Sequence, residues 1–258
     1  MELFDTHCHL DVPEFATDRA EVLRRTRAAG VCWQLIPAVS AAGWGELLAL
    51  CRAEHGLYPA LGLHPVYLAE HSAADVAALD AWVAREHPLA IGEVGLDFFV
   101  PGLDPQQQRE LFEAQLAVAE KYQLPVLLHV RKAHDQVLQS LKKFRLVGGI
   151  AHAFNGSLQQ AEQYMTLGFC FGFGGMLSYP RSTRLHALAR SLPLAHLVLE
   201  TDAPDMTPVA HHGQRNSPEY LPEVLAVLAE LRGMDEAELA LQTTANARRV
   251  LRIDTWKP

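Results

Sequence analysis

Eight short apolar runs recur along the chain, separated by longer stretches with the period of a helix. In chain order the runs read LFDTHCH, VCWQLIPA, YPALGLH, LAIGEVGL, PVLLHV, GGIAHAF, FCFGFGG and HLVLETD. The segment 105–122 shows the helical period, because Phe112, Leu116 and Ala119 fall on one face and Arg109 falls on the other. Eight strands that alternate with helices predict an α/β fold of the (β/α)8 barrel (TIM barrel) type.

A doubly wound open sheet is the main competing fold. No glycine-rich phosphate fingerprint follows the first strand, which disfavours a dinucleotide-binding sheet. After the eighth run come the polar loop MTPVAHHGQRNSPEY and two predicted closing helices, at about 218–232 and 235–249. The chain has no serine- or glycine-rich linker and no internal repeat of fixed period. We therefore expect one domain over residues 1–258.

Composition and charge narrow the class of protein. Hydrophobic residues make up 49% of the 258 residues and charged residues 20%, close to globular averages. No apolar run reaches the roughly 18 residues of a membrane span, and no secretory signal is apparent, so we expect a soluble, cytoplasmic protein. The four cysteines are scattered and predict neither a disulfide framework nor a cysteine zinc site. The net charge of −8 means that a nucleic acid would need local cations to bind.

Ionisable side chains collect at the carboxyl ends of the predicted strands, where enzymes with this barrel carry their active sites. These residues are His7, His9, His64, Glu93, His129, His152, Glu200 and Asp202. His7 and His9 are two residues apart, so on one strand both imidazoles would point to the same side. Burying so many polar groups costs energy unless they have a partner, and a divalent metal supplies one. Imidazoles with carboxylates suit Zn²⁺, Mn²⁺ or Fe²⁺, and ligand type alone does not choose among them.

Each of these residues also has a simpler interpretation on its own. Glu93 could pair with a neighbouring arginine, and His129 and His152 could each be a hydrogen-bonded core histidine. Their joint placement on separate strands favours one shared site. The remaining histidines on helices or helix ends are predicted to be solvated; they include His55, His71, His87, His134, His186 and His196.

The ordered motifs resemble those of the TatD family of metal-dependent hydrolases, within the amidohydrolase-type barrels. They are FDTHCHLD, ALGLHP, IGEVGLDF, PVLLHVRKAHDQ, IAHAFNGS, LETDAP and QRNSPEYL, spread from residue 3 to about residue 250. The stretches SLQQAEQY and YPRST are most similar to a YjjV-like branch. Many members carry Cys and Ser or Thr around the Phe of HAFNG, so we expect the pocket wall to differ there.

The resemblance implies a site with two divalent metal ions, Mg²⁺ or Mn²⁺ in turnover, with Zn²⁺ also possible. The implied ligands of the first ion are His7, His9, Glu93 and Asp202. Glu93 would bridge to a second ion held by His129 and His152. The family further implies cleavage of phosphodiester bonds in DNA or RNA, often as an exonuclease, and so a nucleic-acid substrate.

Water is the expected nucleophile, since no serine or cysteine stands with a suitable base. Two metals would activate that water and stabilise the attacking and leaving oxygens. Asp202 is the predicted proton acceptor and Glu93 the other catalytic carboxylate, while Glu200 is expected to support a ligand imidazole.

Substrate contacts are predicted at the same end of the barrel. They are assigned to His64, Arg131, Arg215 and Asn216, with Arg181 and Arg184 as further cations and Tyr67, Phe98, Phe99 and Tyr179 as possible stacking rings. Hydrolysis of a small ester, amide or aminoacyl ester stays open, because fold and metal do not fix the substrate. A non-catalytic metal-binding scaffold is a third alternative. No obligate protein partner and no membrane association are predicted.

Overall fold

The computed structural model describes residues 1–257 and contains a barrel of eight parallel strands. The strands are β1 (Leu3–Asp5), β2 (Val31–Pro37), β3 (Leu57–Leu61), β4 (Ala90–Asp97), β5 (Val126–Arg131), β6 (Gly149–Ala151), β7 (Phe169–Phe173) and β8 (Leu197–Leu199). They pair in chain order, β1 to β8. The backbone N–H of Thr6 donates to the carbonyl oxygen of Leu199 at 3.0 Å, which connects the last strand to the first. The barrel prediction is therefore confirmed, and the open-sheet alternative is excluded.

Nine α-helices lie within the described part of the chain. They are α1 (Arg19–Ala28), α2 (Trp44–Ala53), α3 (Ala73–Glu86), α4 (Pro105–Tyr122), α5 (His134–Leu141), α6 (Leu158–Thr166), α7 (Thr183–Ser191), α8 (Leu221–Arg232) and α9 (Glu236–Val250). Helix α8 begins three residues later than predicted, because Pro218–Tyr220 form a separate 3-10 turn. Helix α9 begins at Glu236 because Asp235 caps it. Among these residues, no helix is both long and apolar enough to cross a bilayer.

Several strands end earlier than the apolar runs predicted. Strand β1 stops at Asp5, and the chain beyond it runs between its neighbours: Thr6 N–H donates to Leu199 O, whereas Cys8 N–H donates to Leu35 O at 3.1 Å. His7 therefore lies in a loop-like segment past the strand, although its hydrogen bonds still fix its position. This departure places ionisable side chains just above the strand ends.

The barrel interior has an apolar floor. Its buried side chains come from all eight strands: Phe4, Leu35, Ala60, Ala90, Leu127, Ile150, Cys170 and Val198. Val250 and Leu251, at the end of α9, pack against this floor. Side chains two residues apart on a strand share a face, so the residue two positions after Leu127 also points inward. That residue is His129, which places a polar layer directly above the apolar one.

We expect Leu127→Ala to lower the free energy of unfolding by about 2–5 kcal/mol, because it leaves a cavity in the packed floor. Leu127 is 0% exposed, whereas Leu241 on α9 is 74% exposed. Leu241→Ala is therefore the matched control and should change stability by less than about 0.5 kcal/mol. Urea titration followed by circular dichroism measures both. Equal losses in the two variants would contradict this packing.

Candidate metal centre

The carboxylate of Glu93 lies at the centre of the polar layer. Its Oε2 is 3.1 Å from His7 Nε2 and 3.4 Å from His9 Nε2. Its Oε1 is 2.9 Å from His129 Nδ1 and 3.1 Å from His152 Nε2. Each oxygen thus faces a different pair of imidazoles. Glu93 is only 2% exposed, so its carboxylate lies between these two groups of imidazole nitrogens with little access to water.

The first donor set contains His7 Nε2, His9 Nε2, Glu93 Oε2 and Asp202 Oδ1. The two imidazole nitrogens are 3.1 Å apart, and Asp202 Oδ1 lies 3.4 Å from the first and 3.7 Å from the second. Donors about 2.1 Å from one metal ion are separated by about 3.0–3.4 Å in octahedral or tetrahedral geometry. The observed separations therefore match a set of atoms around one ion.

The second donor set contains Glu93 Oε1, His129 Nδ1 and His152 Nε2. His64 also approaches, with Nε2 at 3.4 Å from Glu93 Oε1. The imidazoles of His7 and His152 stack with centroids 4.0 Å apart, so the two donor sets are immediate neighbours. Nitrogen and carboxylate donors of this kind suit borderline divalent metals as well as Mn²⁺.

Hydrogen bonds to the opposite ring nitrogens orient two of the histidines toward these sets, and a carboxylate lies near that nitrogen of a third. His9 Nδ1 is 3.1 Å from the carbonyl oxygen of Pro37, which can only accept, so Nδ1 carries the proton. His129 Nε2 is 3.0 Å from Asp97 Oδ2 and donates to it. Glu200 Oε1 lies 3.6 Å from His152 Nδ1, on the acceptor side. In their neutral forms, His9 and His129 then present an unprotonated nitrogen to Glu93, which a metal could bind.

His64 is oriented in the opposite way. Its Nδ1 accepts a hydrogen bond from the backbone N–H of Val66 at 3.2 Å, so in the neutral ring the proton is on Nε2. Burial lowers the pKa of His64 to about 4, which keeps the ring neutral. A nitrogen that carries a proton cannot ligate a metal. His64 therefore presents a hydrogen-bond donor to the pocket, as expected for a substrate contact.

The pKa values of Glu93 and of the surrounding histidines depend on one another. Burial opposes ionisation of Glu93, but His7, His64 and His152 outweigh it and hold its pKa well below the usual range. Burial also opposes a charge on His9 and His152; nevertheless Glu93 raises the pKa of His9 to about 9 and that of His152 well above its ordinary value. Without another cation, imidazolium charges thus neutralise the carboxylate. A divalent ion would replace those protons.

Two aspartates that the sequence interpretation missed connect the site to the barrel. Asp5 is fully buried and accepts hydrogen bonds from His7 N–H at 3.2 Å and from Thr201 N–H at 2.9 Å. Its other oxygen accepts from the Thr201 hydroxyl at 2.5 Å. Burial raises the pKa of Asp5 to about 7. This carboxyl joins the segment of His7 to that of Asp202, and its place within the first motif, FDTHCHLD, was the available signal.

Each carboxylate oxygen of Asp97 accepts hydrogen bonds from a different part of the site. Oδ2 accepts from His129, while Oδ1 accepts the backbone N–H groups of Phe99 at 2.8 Å and Val100 at 3.0 Å. Although burial opposes its ionisation, these hydrogen bonds lower the pKa of Asp97 to about 2. The carboxylate is therefore ionised at all working pH values. It orients His129 and shapes the loop that carries Phe99.

Glu200 lies where it was expected, beside a ligand imidazole. It is fully buried, and Oε1 accepts the backbone N–H of Ala153 at 2.6 Å. A Cβ at Gly172 would come within 1.9 Å of Glu200 Oε2, so only glycine leaves room for this carboxylate. Gly172 on β7 thus leaves the space that the side chain of Glu200, directly after β8, occupies.

The centre opens into a cavity of about 640 Å³. Its apolar wall includes Val12, Val39, Val66, Met176, Leu185 and Met206. Arg131 and Tyr67 line it as well, as predicted for substrate contacts. Asn155, from the HAFNG motif, lines the wall and accepts a hydrogen bond from His134 Nε2 at 3.1 Å. His134 is consequently buried, and its prediction as a solvated residue is wrong.

The structure does not bring Arg215 and Asn216 to this cavity. Arg215 forms a bidentate ion pair with Asp18 at 2.6 and 2.9 Å and covers the ring of Phe15. Asn216 is fully buried, and its amide donates to the carbonyl oxygen of Thr201 at 2.8 Å. Both residues hold the closing loop in place. A sequence cannot reveal that such polar groups already have internal partners.

The predicted stacking rings and the two further arginines lie in different environments. Tyr67 and Phe99 are 41% and 49% exposed, whereas Phe98 packs against the core. The Tyr179 hydroxyl donates to the carbonyl oxygen of Thr207 at 3.1 Å. The described cavity lining includes neither Arg181 nor Arg184.

Comparison with known proteins supports the same chemistry. The family model described as TatD related DNase matches residues 4–252. An Escherichia coli protein called uncharacterized metal-dependent hydrolase YjjV is 44% identical over 241 residues, covering 92% of each chain. The 3'-5' ssDNA/RNA exonuclease TatD of Erwinia tasmaniensis is 37% identical over 261 residues, covering 97% of this chain and all of its own.

A solved structure closely matches the fold. The crystal structure of the Escherichia coli protein YjjV, a TatD homologue, superposes with a TM-score of 0.93 at 41% identity and covers 96% of this chain and 97% of its own. The TatD family hydrolase of Entamoeba histolytica superposes with a TM-score of 0.84 at 18% identity, which shows the fold alone.

We predict that Asp97→Asn weakens Mn²⁺ binding by about 10–100-fold, since a neutral amide accepts the hydrogen bond from His129 Nε2–H more weakly than a carboxylate does. Isothermal titration calorimetry of metal-stripped protein measures this affinity. Asp104→Asn is the matched control, because Asp104 accepts from Gln107 N–H at the start of α4 and Asn caps helices equally well. Unchanged affinity in a folded Asp97 variant would contradict the assigned orientation of His129.

We also predict that metal binding near pH 7.5 releases at least about one proton per protein, because bound imidazoles must be neutral. The pKa of His9, raised to about 9, means that this ring is protonated at this pH without metal. The same raised pKa implies that metal affinity falls as the pH is lowered. Calorimetry in buffers of different ionisation enthalpy gives the number of protons. A binding enthalpy independent of the buffer would contradict this expectation.

Proposed function

The chain belongs to the TatD family of metal-dependent hydrolases, and we propose that it hydrolyses phosphodiester bonds at one end of single-stranded DNA or RNA. One observation carries this proposal: the two oxygens of Glu93 face two adjacent donor sets, as two-metal hydrolysis of phosphoesters requires. The exonuclease name of the Erwinia relative supports the nucleic-acid substrate.

The donor chemistry fits divalent metal ions. The first ion would be held by His7, His9, Glu93 and Asp202, and the second by Glu93, His129 and His152. Metal ions bound there would lower the pKa of water and offset the negative charge that develops on the phosphate. Mg²⁺ or Mn²⁺ are proposed for turnover, with Zn²⁺ an alternative that the imidazoles also suit.

Asp202 is the proposed proton acceptor for the attacking water. Its Oδ1 faces His7 and His9, and the residue is among those that line the cavity. Burial raises the pKa of Asp202 to about 6. With Oδ1 directed toward the first donor set, Oδ2 would be free to accept a proton from the attacking water.

His64 and Arg131 are the proposed donors to the phosphate. The Nε2–H of His64 points toward Glu93, and the guanidinium of Arg131 contributes a fixed positive charge to the cavity lining. These two groups approach from either side of β4, His64 from the loop after β3 and Arg131 from the end of β5. They would bind one phosphate group while Glu93 and Asp202 stay with the metal ions.

A small ester, amide or aminoacyl ester is the second candidate substrate. Glu14 and Asp205 line the cavity with the metal-centre carboxylates, whereas Arg131 is the one lysine or arginine among its described lining residues. An acidic, largely apolar cavity favours a small, weakly charged molecule over a long polyanion. In Arg131→Ala, loss restricted to oligonucleotide hydrolysis would favour the phosphate substrate, whereas loss restricted to ester hydrolysis would favour the small ester and contradict Arg131 as a phosphate donor.

We predict that metal-stripped protein shortens end-labelled single-stranded DNA or RNA only after Mg²⁺, Mn²⁺ or Zn²⁺ is restored. Asp202→Asn should lower kcat by about 10²–10⁴-fold, the usual contribution of a general base. Asp205→Asn is the matched control, since the same change falls on an exposed carboxylate in the same cavity lining. Denaturing gels of the products measure the rates and the polarity of cleavage.

An Asp202→Asn enzyme with the full wild-type rate would remove Asp202 from the reaction. Wild-type protein that binds two metal ions but leaves both nucleic acids intact would overturn the nuclease proposal. Assays with aryl esters and amides would then separate the second candidate from a metal-binding scaffold, which hydrolyses none of these substrates.

A further inference from the structure

Charge and aromatic character divide the rim of the cavity into two sides. Acidic side chains come from the neighbouring strands β1 and β8: Glu14 follows β1, and Asp205 follows β8. The opposite side is built from three consecutive strands. Tyr67 follows β3, Phe99 follows β4, and Arg131 ends β5. An anionic chain leaving the cavity would be repelled on the first side and attracted on the second.

The second side contains two cations on one aromatic ring. The guanidinium carbon of Arg131 lies 3.7 Å from the centroid of Phe99, and Nζ of Lys132 lies 4.7 Å from it. Both cations are exposed, and neither takes part in an ion pair with a carboxylate within residues 1–257. Their charges are thus available to a ligand, unlike that of Arg215, which Asp18 neutralises.

This arrangement is fixed by the metal centre itself. Asp97 accepts the backbone N–H of Phe99 with one oxygen and orients His129 with the other. The backbone of Phe99, whose ring the two cations contact, therefore has a set position relative to His129 and Glu93. Because Arg131 lines the cavity and Lys132 does not, Lys132 extends the positive charge outward from the cavity.

We propose that Phe99, Arg131 and Lys132 form a subsite for the nucleotide next to the scissile bond. Arg131 binds the phosphate at the metal centre, and Lys132 binds the following phosphate of the same strand. Phe99 positions both cations. The single strand then leaves the cavity across β4 and β5 and away from Glu14 and Asp205. This inference rests on the proposed nuclease function and specifies the path of its substrate.

The test compares a substrate that reaches the subsite with one that does not. A single-stranded oligonucleotide of about ten residues spans it, whereas thymidine 5′-p-nitrophenyl phosphate contains one phosphodiester and no following nucleotide. Lys132→Gln should raise KM several-fold for the oligonucleotide and leave KM and kcat for the small diester unchanged. Lys257→Gln is the matched control, because Lys257 lines a separate cavity with Leu251 and Trp256 and should affect neither substrate.

A binding measurement keeps this test independent of hydrolysis. Fluorescence anisotropy of a labelled oligonucleotide gives Kd as a function of salt, and loss of one phosphate contact should reduce the slope of log Kd against log salt by about 0.7. Phe99→Leu should reduce the same slope, since the cations lose the ring that positions them.

An unchanged slope and an unchanged oligonucleotide KM in Lys132→Gln would overturn the subsite, as would equal effects on both substrates. If wild-type protein binds the oligonucleotide with a slope that Lys132→Gln reduces, yet hydrolyses neither substrate, the nuclease proposal fails and the subsite stands. Wild-type protein that binds no oligonucleotide at low salt would overturn the subsite as well.

Discussion

The buried carboxylate of Glu93 is the interaction on which the rest of the site depends. It is nearly inaccessible to water, yet it stays ionised because imidazoles approach both of its oxygens. A buried anion of this kind is costly unless its charge is matched nearby. The barrel brings the matching groups together from β1, β5 and β6, and strand order makes those groups converge at one end. The barrel topology therefore supplies the charges that keep the buried Glu93 carboxylate ionised.

The histidines around Glu93 differ in what they offer. His9 and His129 hold a proton on the outer nitrogen, because Pro37 O and Asp97 accept it, and they present lone pairs inward. His64 does the reverse, since Val66 N–H occupies its Nδ1. These three rings thus separate into two candidate metal ligands, His9 and His129, and one candidate hydrogen-bond donor, His64. Neighbouring hydrogen bonds, and not residue type, make that distinction.

The sequence was sufficient to predict the barrel, because eight apolar runs alternate with helical periods and the helix at 105–122 has the bounds that its pattern indicated. It also predicted which ionisable residues meet, since carboxyl ends of parallel strands share one edge. Strand ends were less predictable: His7 lies beyond β1, where the chain is held by hydrogen bonds to two neighbours. Whether a polar group is already satisfied was not predictable, so Arg215 and Asn216 were assigned to substrate although Asp18 and Thr201 bind them.

The claim that the two oxygens of Glu93 face two separate metal positions is tested most directly by locating the ions. Crystals grown with Mn²⁺ and measured near its absorption edge give an anomalous difference map around Glu93. Two peaks about 3.5–4 Å apart, one toward His7 and His9 and one toward His129 and His152, are the predicted result. A single peak, or ions bound away from Glu93, would contradict the two-metal centre.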